Sequence, residues 1–117
     1  MKKKVTCEIE ITLNVIGGKY KPIILYILIE EGVKRFGELK AMIPSISHKT
    51  LTNQLRELED ANLISRKSYS TIPPKVEYTI TEKGLTLYPV LSAMCDWGYE
   101  HMTDDYELIN PICTESC

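Results

Sequence analysis

The stretch Ser47–Ile64, SHKTLTNQLRELEDANLI, decides how the rest of the chain is read. Ser47 suits a helix N-cap, because its hydroxyl can accept from a free backbone N–H in the first turn. Leu51, Leu55 and Leu58 recur at helical spacing and form one apolar stripe. The opposite face reads His48, Lys49, Thr52, Asn53 and Arg56, with Thr50 at its border. These side chains can hydrogen-bond phosphates or base edges, and none is acidic. The acids Glu57, Glu59 and Asp60 come only at the far end. That order suits a helix whose N-terminal half enters a major groove and whose C-terminal half turns away from the phosphates. An ordinary amphipathic surface helix has a polar outer face too, so the flanking sequence has to decide.

Upstream, Arg35–Ile43 places Phe36, Leu39, Met42 and Ile43 on one side of a short helix that Pro44 ends. A short helix, the connector Pro44–Ser47 and a second, polar-faced helix make a helix-turn-helix pattern. Downstream, the period changes from helical to about two. Leu63–Tyr69 and Val76–Ile80 read as strands. The loop between them, Ser70–Lys75, is polar and stiffened by Pro73 and Pro74, so the pair forms a β-hairpin wing. Farther out, Ile9, Leu13 and Ile16 predict a helix stopped at Gly17-Gly18. Residues 23–29, IILYILI, have the composition of a strand. The start at Pro22, the end at Glu30-Glu31-Gly32 and the length favour a fully buried helix. Thr81 caps a last helix from about Glu82, with Leu85, Tyr88, Leu91, Met94, Cys95 and Trp97 near helical spacing and a kink expected at Pro89.

The 117 residues suit one domain, residues 1–117, with a basic arm over 1–6 and an acidic, flexible tail over 103–117. With 44% apolar and 26% charged residues, the chain has globular composition, not that of a disordered one. The formal net charge of −2 hides a strong asymmetry. Residues 1–33 carry a net +1, residues 34–75 a net +4 and residues 76–117 a net −7. A basic middle beside an acidic tail sets one face toward a polyanion and another away from it. Glu8 and Glu10 interrupt any signal-peptide core, and the longest apolar run, Ile23–Ile29, is far short of the roughly 20 residues that span a bilayer. A cytoplasmic protein is expected, with Cys7, Cys95, Cys113 and Cys117 reduced at rest.

In this order the motifs resemble the HxlR family of bacterial winged helix-turn-helix transcriptional regulators. The matching residues are Cys7, Ile16-Gly-Gly-Lys19, Arg35-Phe-Gly-Glu-Leu39, Pro44-Ser-Ile-Ser47, Leu51-Thr-Asn-Gln-Leu55-Arg-Glu-Leu58-Glu59, Leu63-Ile64, Pro73-Pro-Lys-Val-Glu-Tyr78, Thr81-Glu-Lys-Gly84 and Trp97-Gly98. They cover residues 7–98, and their joint order and spacing carry the resemblance more than any single motif. His48 departs from a frequent proline and Tyr20 from a common tryptophan; the first departure bears on the target-site contacts.

The resemblance implies an α+β, mostly helical fold, a winged helix-turn-helix with a two-stranded wing and extra terminal helices. It also implies a homodimer on double-stranded operator DNA, joined through about Glu8–Ile16 and Glu82–His101. A two-fold dimer would read a pseudo-palindrome. The expected DNA-contacting residues are His48, Lys49, Thr50, Thr52, Asn53 and Arg56, with Arg66, Lys67 and Lys75 reaching the backbone or minor groove from the wing. Solvated charge on an edge strand is the competing explanation for Arg66 and Lys67. In proteins resembling this one, a cysteine just before the first helix often senses oxidants or electrophiles. Cys7 stands there, where a helix dipole and Lys2, Lys3 and Lys4 favour thiolate while Glu8 and Glu10 oppose it.

Cys95 reads as a core residue. Cys113-x-x-x-Cys117 with His101 or Cys7 is too weak a pattern for zinc, so no metal and no cofactor are expected. There is no phosphate-binding glycine loop and no HExxH motif, and an enzyme is not expected. The alternatives are a winged-helix module that docks proteins, or a regulator with a small-molecule effector and no thiol switch.

Overall fold

The structure is a computed structural model and describes residues 2–109. Six helices and one hairpin follow in order: α1 Glu8–Ile16, α2 Lys21–Glu31, α3 Phe36–Met42, α4 His48–Asp60, β1 Ile64–Tyr69, β2 Lys75–Ile80, α5 Glu82–Leu85 and α6 Tyr88–Glu100. This is the winged helix-turn-helix arrangement that the sequence implies.

The isoleucine-rich run is helical. Pro22 sits in the first turn of α2, and Gly32, at φ 84°, ends it in a backbone region that L side chains rarely adopt. Ile24, Leu25, Tyr26, Ile27 and Leu28 are all buried, so α2 is the central rod of the core. Leu39, Ile43 and Ile46 from the α3 region, Leu51, Leu55 and Leu58 from α4, and Leu63, Ile64 and Tyr78 from the hairpin close around it. No polar or charged residue is fully buried among the described residues, so hydrophobic burial holds this core without internal ion pairs.

The strands pair antiparallel from Ile64↔Ile80 to Tyr69↔Lys75. Lys34 adds a further bridge, exchanging backbone hydrogen bonds with Tyr78 at 3.1 and 2.8 Å. The Gly32–Lys34 turn therefore also pins the wing's inner edge. Thr81 caps α5 as expected, accepting from Gly84 N–H at 3.0 Å.

The expected continuous last helix is corrected. Pro89 does not kink it; the chain breaks into α5 and α6, and Pro89 falls in the first turn of α6, where its missing N–H leaves no ladder bond unmade. The apolar residues of this segment divide accordingly. Leu91 is buried in the core, whereas Leu85, Met94 and Trp97 are exposed. Cys95 is a second correction. It is half-buried and disulfide-bonded, not a reduced core thiol. Cys113 and Cys117 lie outside the described residues, as does the rest of the expected acidic tail beyond residue 109.

Candidate nucleic-acid interface

Ser47 caps α4 as its chemistry suggests: its Oγ accepts from Thr50 N–H at 3.1 Å and donates to Thr50 Oγ1 at 2.9 Å. Leu51, Leu55 and Leu58 seat the helix on the core. That fixes which face remains outside. His48, Lys49, Asn53 and Arg56 are exposed, and Thr50 and Thr52 are half-buried at the margins. The first turn of α4 holds no acid, although an acid there would stabilise the helix through its dipole. Free N–H groups and Lys49 instead make that end electropositive, which suits an incoming anion.

Thr52 and His48, like Thr50, are already engaged. The Thr52 hydroxyl donates to His48 C=O at 2.9 Å, so it faces outward only as an acceptor. The His48 ring packs on Phe36 of α3 with centroids 4.6 Å apart. Histidine in place of the family's frequent proline thus gives the helix start an aromatic contact with the preceding helix. Tyr20 has a comparable explanation. Its hydroxyl lies 3.3 Å from Ser45 C=O and 3.2 Å from Ser45 Oγ, tying the start of α2 to the turn before α4. The Ser45 hydrogen bond lowers the Tyr20 pKa below its ordinary value, with Lys19 adding to the effect against a smaller opposing desolvation.

One of the acids at the far end of α4 is engaged away from that face, while Glu59 borders the cleft between α4 and the wing. Glu57 pairs with Lys21 of α2 at 2.6 Å, which removes one negative charge from the neighbourhood of any phosphate.

The wing divides its cations between its two faces, a split the sequence reading did not make. Arg66 pairs with Tyr78 in the ladder and shares its face with Ile64 and Ile80. It lines a cleft of about 360 Å³ with Thr52, Leu55, Arg56, Glu59 and Tyr78. Arg56 of α4 and Arg66 of β1 are therefore brought together. Neither guanidinium makes an ion pair among the described residues.

Lys67 and Lys75 lie on the other face, and Tyr69 and Glu77 with them. The Lys67 and Lys75 ammonium groups stand 5.0 and 4.4 Å from the centre of the Tyr69 ring. The Tyr69 hydroxyl donates to Glu77 Oε1 at 2.8 Å, and Lys75 Nζ lies 3.9 Å from Glu77 Oε2. Tyr69 and Glu77 were not singled out from the sequence. Strand alternation held the signal, because 67 and 69 on one strand face 77 and 75 on the other.

Cys7 belongs to a separate element. It is the N-cap residue of α1, exposed and in the free thiol form. Among the described residues no cluster of His, Cys, Asp or Glu is arranged to hold a metal ion. No helix among them is long and apolar enough to cross a membrane.

A cationic helix start, seated beside a cationic hairpin on a shared core, is the winged-helix plan, and comparison with known proteins agrees. Residues 15–106 match the model of the HxlR-like helix-turn-helix family. The chain belongs to that family. It is a transcriptional regulator of the DNA-binding winged-helix type. The chain is 55% identical over 100 residues to the putative regulatory protein MalR of Fusobacterium mortiferum, covering 86% of this chain and 94% of that one. It is 47% identical to the HTH-type transcriptional regulator YkvN of Bacillus subtilis, covering 93% and 96%. Among solved structures, the redox regulator HypR in its oxidised form superposes with a TM-score of 0.79 at 47% identity, covering 83% of this chain and 99% of that one. The reduced form of the regulator YodB from B. subtilis superposes at 0.70 and 33% identity, covering 88% and 100%.

Proposed function

We propose that this HxlR-type regulator binds a pseudo-palindromic operator as a homodimer, and that Cys7 sets its DNA affinity in response to oxidants or electrophiles. The observation that carries the DNA half is the outer face of α4. His48, Lys49, Asn53 and Arg56 stand exposed at a helix start without acids, with Arg66 of the wing brought beside Arg56. Lys49 and Arg56 suit guanine or phosphate, and Asn53 suits adenine. Thr50 and Thr52 flank them, and Lys67 and Lys75 supply further positive charge from the opposite face of the wing.

The thiol half rests on position and accessibility. Cys7 is exposed and free at the start of α1, next to the exposed apolar residues Ile9, Ile11 and Leu13. A second copy docking on that surface would bring Cys7 close to the subunit boundary. Oxidation or alkylation there would change how two α4 helices are spaced. The likeness to regulators described as redox-responsive, HypR among them, supports the same reading.

The test is binding to duplex DNA from upstream of the protein's own gene, read by fluorescence anisotropy at two salt concentrations. Reduced protein, diamide-treated protein and Cys7→Ser would be compared. Tight binding that weakens steeply with salt is expected, because each phosphate contact releases counterions. Diamide is expected to change the affinity of wild type and leave Cys7→Ser unmoved. An equal diamide response in both proteins would remove Cys7 from the switch. Salt-independent binding, with no preference over random duplex, would remove the DNA reading.

A further inference from the structure

The end of the described chain folds back on α6. Past Glu100, the Met102 N–H donates to Tyr99 C=O at 3.4 Å and the Tyr106 N–H to Thr103 C=O at 3.2 Å. These turns bring Tyr106 and Leu108 to the same cavity as Met94 and Trp97 of α6, a space of about 430 Å³. That is the size of a small-molecule site. Its walls are thioether, indole, phenol and aliphatic carbon, from Met94, Trp97, Tyr99, Met102, Tyr106 and Leu108. Trp97 is 65% and Tyr106 68% exposed, so the protein's own packing covers neither ring. The His101 imidazole stacks on the indole at 4.0 Å and 15°, and its Nδ1 lies 2.9 Å from Trp97 C=O. Trp97 is thereby braced as a flat wall.

We propose that this cavity binds a lipophilic organic cation, with the apolar body of the ligand on the α6 wall and its charge against the aromatic rings. The surrounding charge selects the sign. Residues 94–109 hold Asp96, Glu100, Asp104, Asp105 and Glu107 and no lysine or arginine. Glu100, Asp104, Asp105 and Glu107 are exposed, and each stands within two residues of a lining residue. None of them makes an ion pair among the described residues. Unpaired carboxylates around a low-dielectric cleft concentrate cations in it. Open indole and phenol faces attract the same sign through the ring quadrupole, and methionines adapt to varied apolar shapes. A phosphate-bearing ligand meets the opposite field, so this cavity is chemically distinct from the cationic start of α4. A neutral apolar ligand, or a second copy covering Met94 and Trp97, would use the walls and leave the carboxylates unused. Binding here does not depend on the DNA reading.

Trp97 is the chain's one tryptophan, so its fluorescence reports on this cavity alone. The full chain, without reductant so that Cys95 keeps its disulfide, would be titrated with three compounds. Tetraphenylphosphonium and tetraphenylborate share size and shape and differ in charge; triphenylphosphine oxide is a neutral relative. The phosphonium is expected to change Trp97 emission at micromolar concentration and to bind roughly tenfold or more tighter than either of the others. Tyr106→Ala, at an exposed ring, should melt as wild type does and bind the phosphonium roughly tenfold more weakly. Asp104→Asn/Asp105→Asn/Glu107→Gln should bring the phosphonium down toward the neutral compound and flatten its salt dependence. Borate binding as tight as phosphonium would overturn the cation. Unchanged phosphonium affinity in both variants would place the ligand elsewhere and overturn the site. Trp97 emission that follows protein concentration and sedimentation, and ignores all three compounds, would give the cavity to a second copy and overturn the proposal.

Discussion

Gly84 is buried where α5 passes over the hairpin. A Cβ there would collide with the Leu63 carbonyl oxygen and come within 2.6 Å of the Ile80 side chain. The oxygen is backbone and also accepts from Thr81 N–H and the Thr81 hydroxyl, so it cannot retreat cheaply. Gly84→Ala is therefore expected to destabilise by about 3 kcal/mol, a fall in melting temperature on the order of 10–15 °C by calorimetry. A melting point within about 3 °C of wild type would show that α5 can shift aside. Ser47→Ala removes one hydrogen-bond acceptor and should cost about 1 kcal/mol in chemical denaturation. It should also weaken DNA binding, because the turn that frays carries His48 and Lys49. At this scale the sequence was legible wherever one side chain's chemistry suffices, as with the Ser47 and Thr81 caps. It was not legible for Gly84, whose constraint comes from a carbonyl more than twenty residues away. Nor did it reveal that Arg66 belongs with Arg56, which depends on the register that sets Arg66 opposite Tyr78.

Elements were read well where one period ran unbroken, as in α1, α4 and the two strands. The break at Pro89 was read as a kink because the apolar spacing runs on through it. What the spacing conceals is that Leu91 faces the core while Met94 and Trp97 do not. The α2–α6 contact is equally invisible in sequence. Tyr26 and Tyr88 stack with centroids 6.0 Å apart, and Tyr88 hydrogen-bonds Glu30. The Glu30 carboxylate raises the Tyr88 pKa above the ordinary 10.0, first through its charge and then through the hydrogen bond it accepts from the neutral phenol. A phenol whose folded-state pKa is raised contributes stability that is fully present below the unfolded value. That contribution is lost as pH climbs through the folded value. Ultraviolet difference titration should find one tyrosine ionising late, and Glu30→Gln should return it toward 10.0. A late tyrosine unaffected by Glu30→Gln would place the effect at another residue.

The described residues are more extended than their number requires. Their radius of gyration is 15.2 Å, against about 13 Å for a compact domain of roughly that size. Apolar faces on the terminal helices accompany that shape. On α1, Ile9, Ile11 and Leu13 are 69%, 52% and 57% exposed, and on α6 Val90, Met94, Trp97 and Tyr99 are exposed as well. Two terminal helices that each bury a single residue in their own core resemble halves of a larger one. Their apolar stripes were plain in the sequence. What they pack against was not, because periodicity reports that a face is apolar and says nothing of which molecule covers it. A second copy is the expected cover, since a two-fold pairing lets one patch meet itself. Ile9→Glu/Leu13→Glu places carboxylates on that face and touches no buried side chain. Sedimentation should show wild type as a dimer and the variant as a folded monomer with unchanged far-ultraviolet circular dichroism. The variant should bind a single half-site as wild type does per subunit. On the full operator it should lose at least a hundredfold, because two linked contacts raise affinity by roughly that much or more. A variant that stays dimeric would move the interface off α1. A wild type that sediments as a monomer at micromolar concentration would leave the pseudo-palindrome without its physical cause.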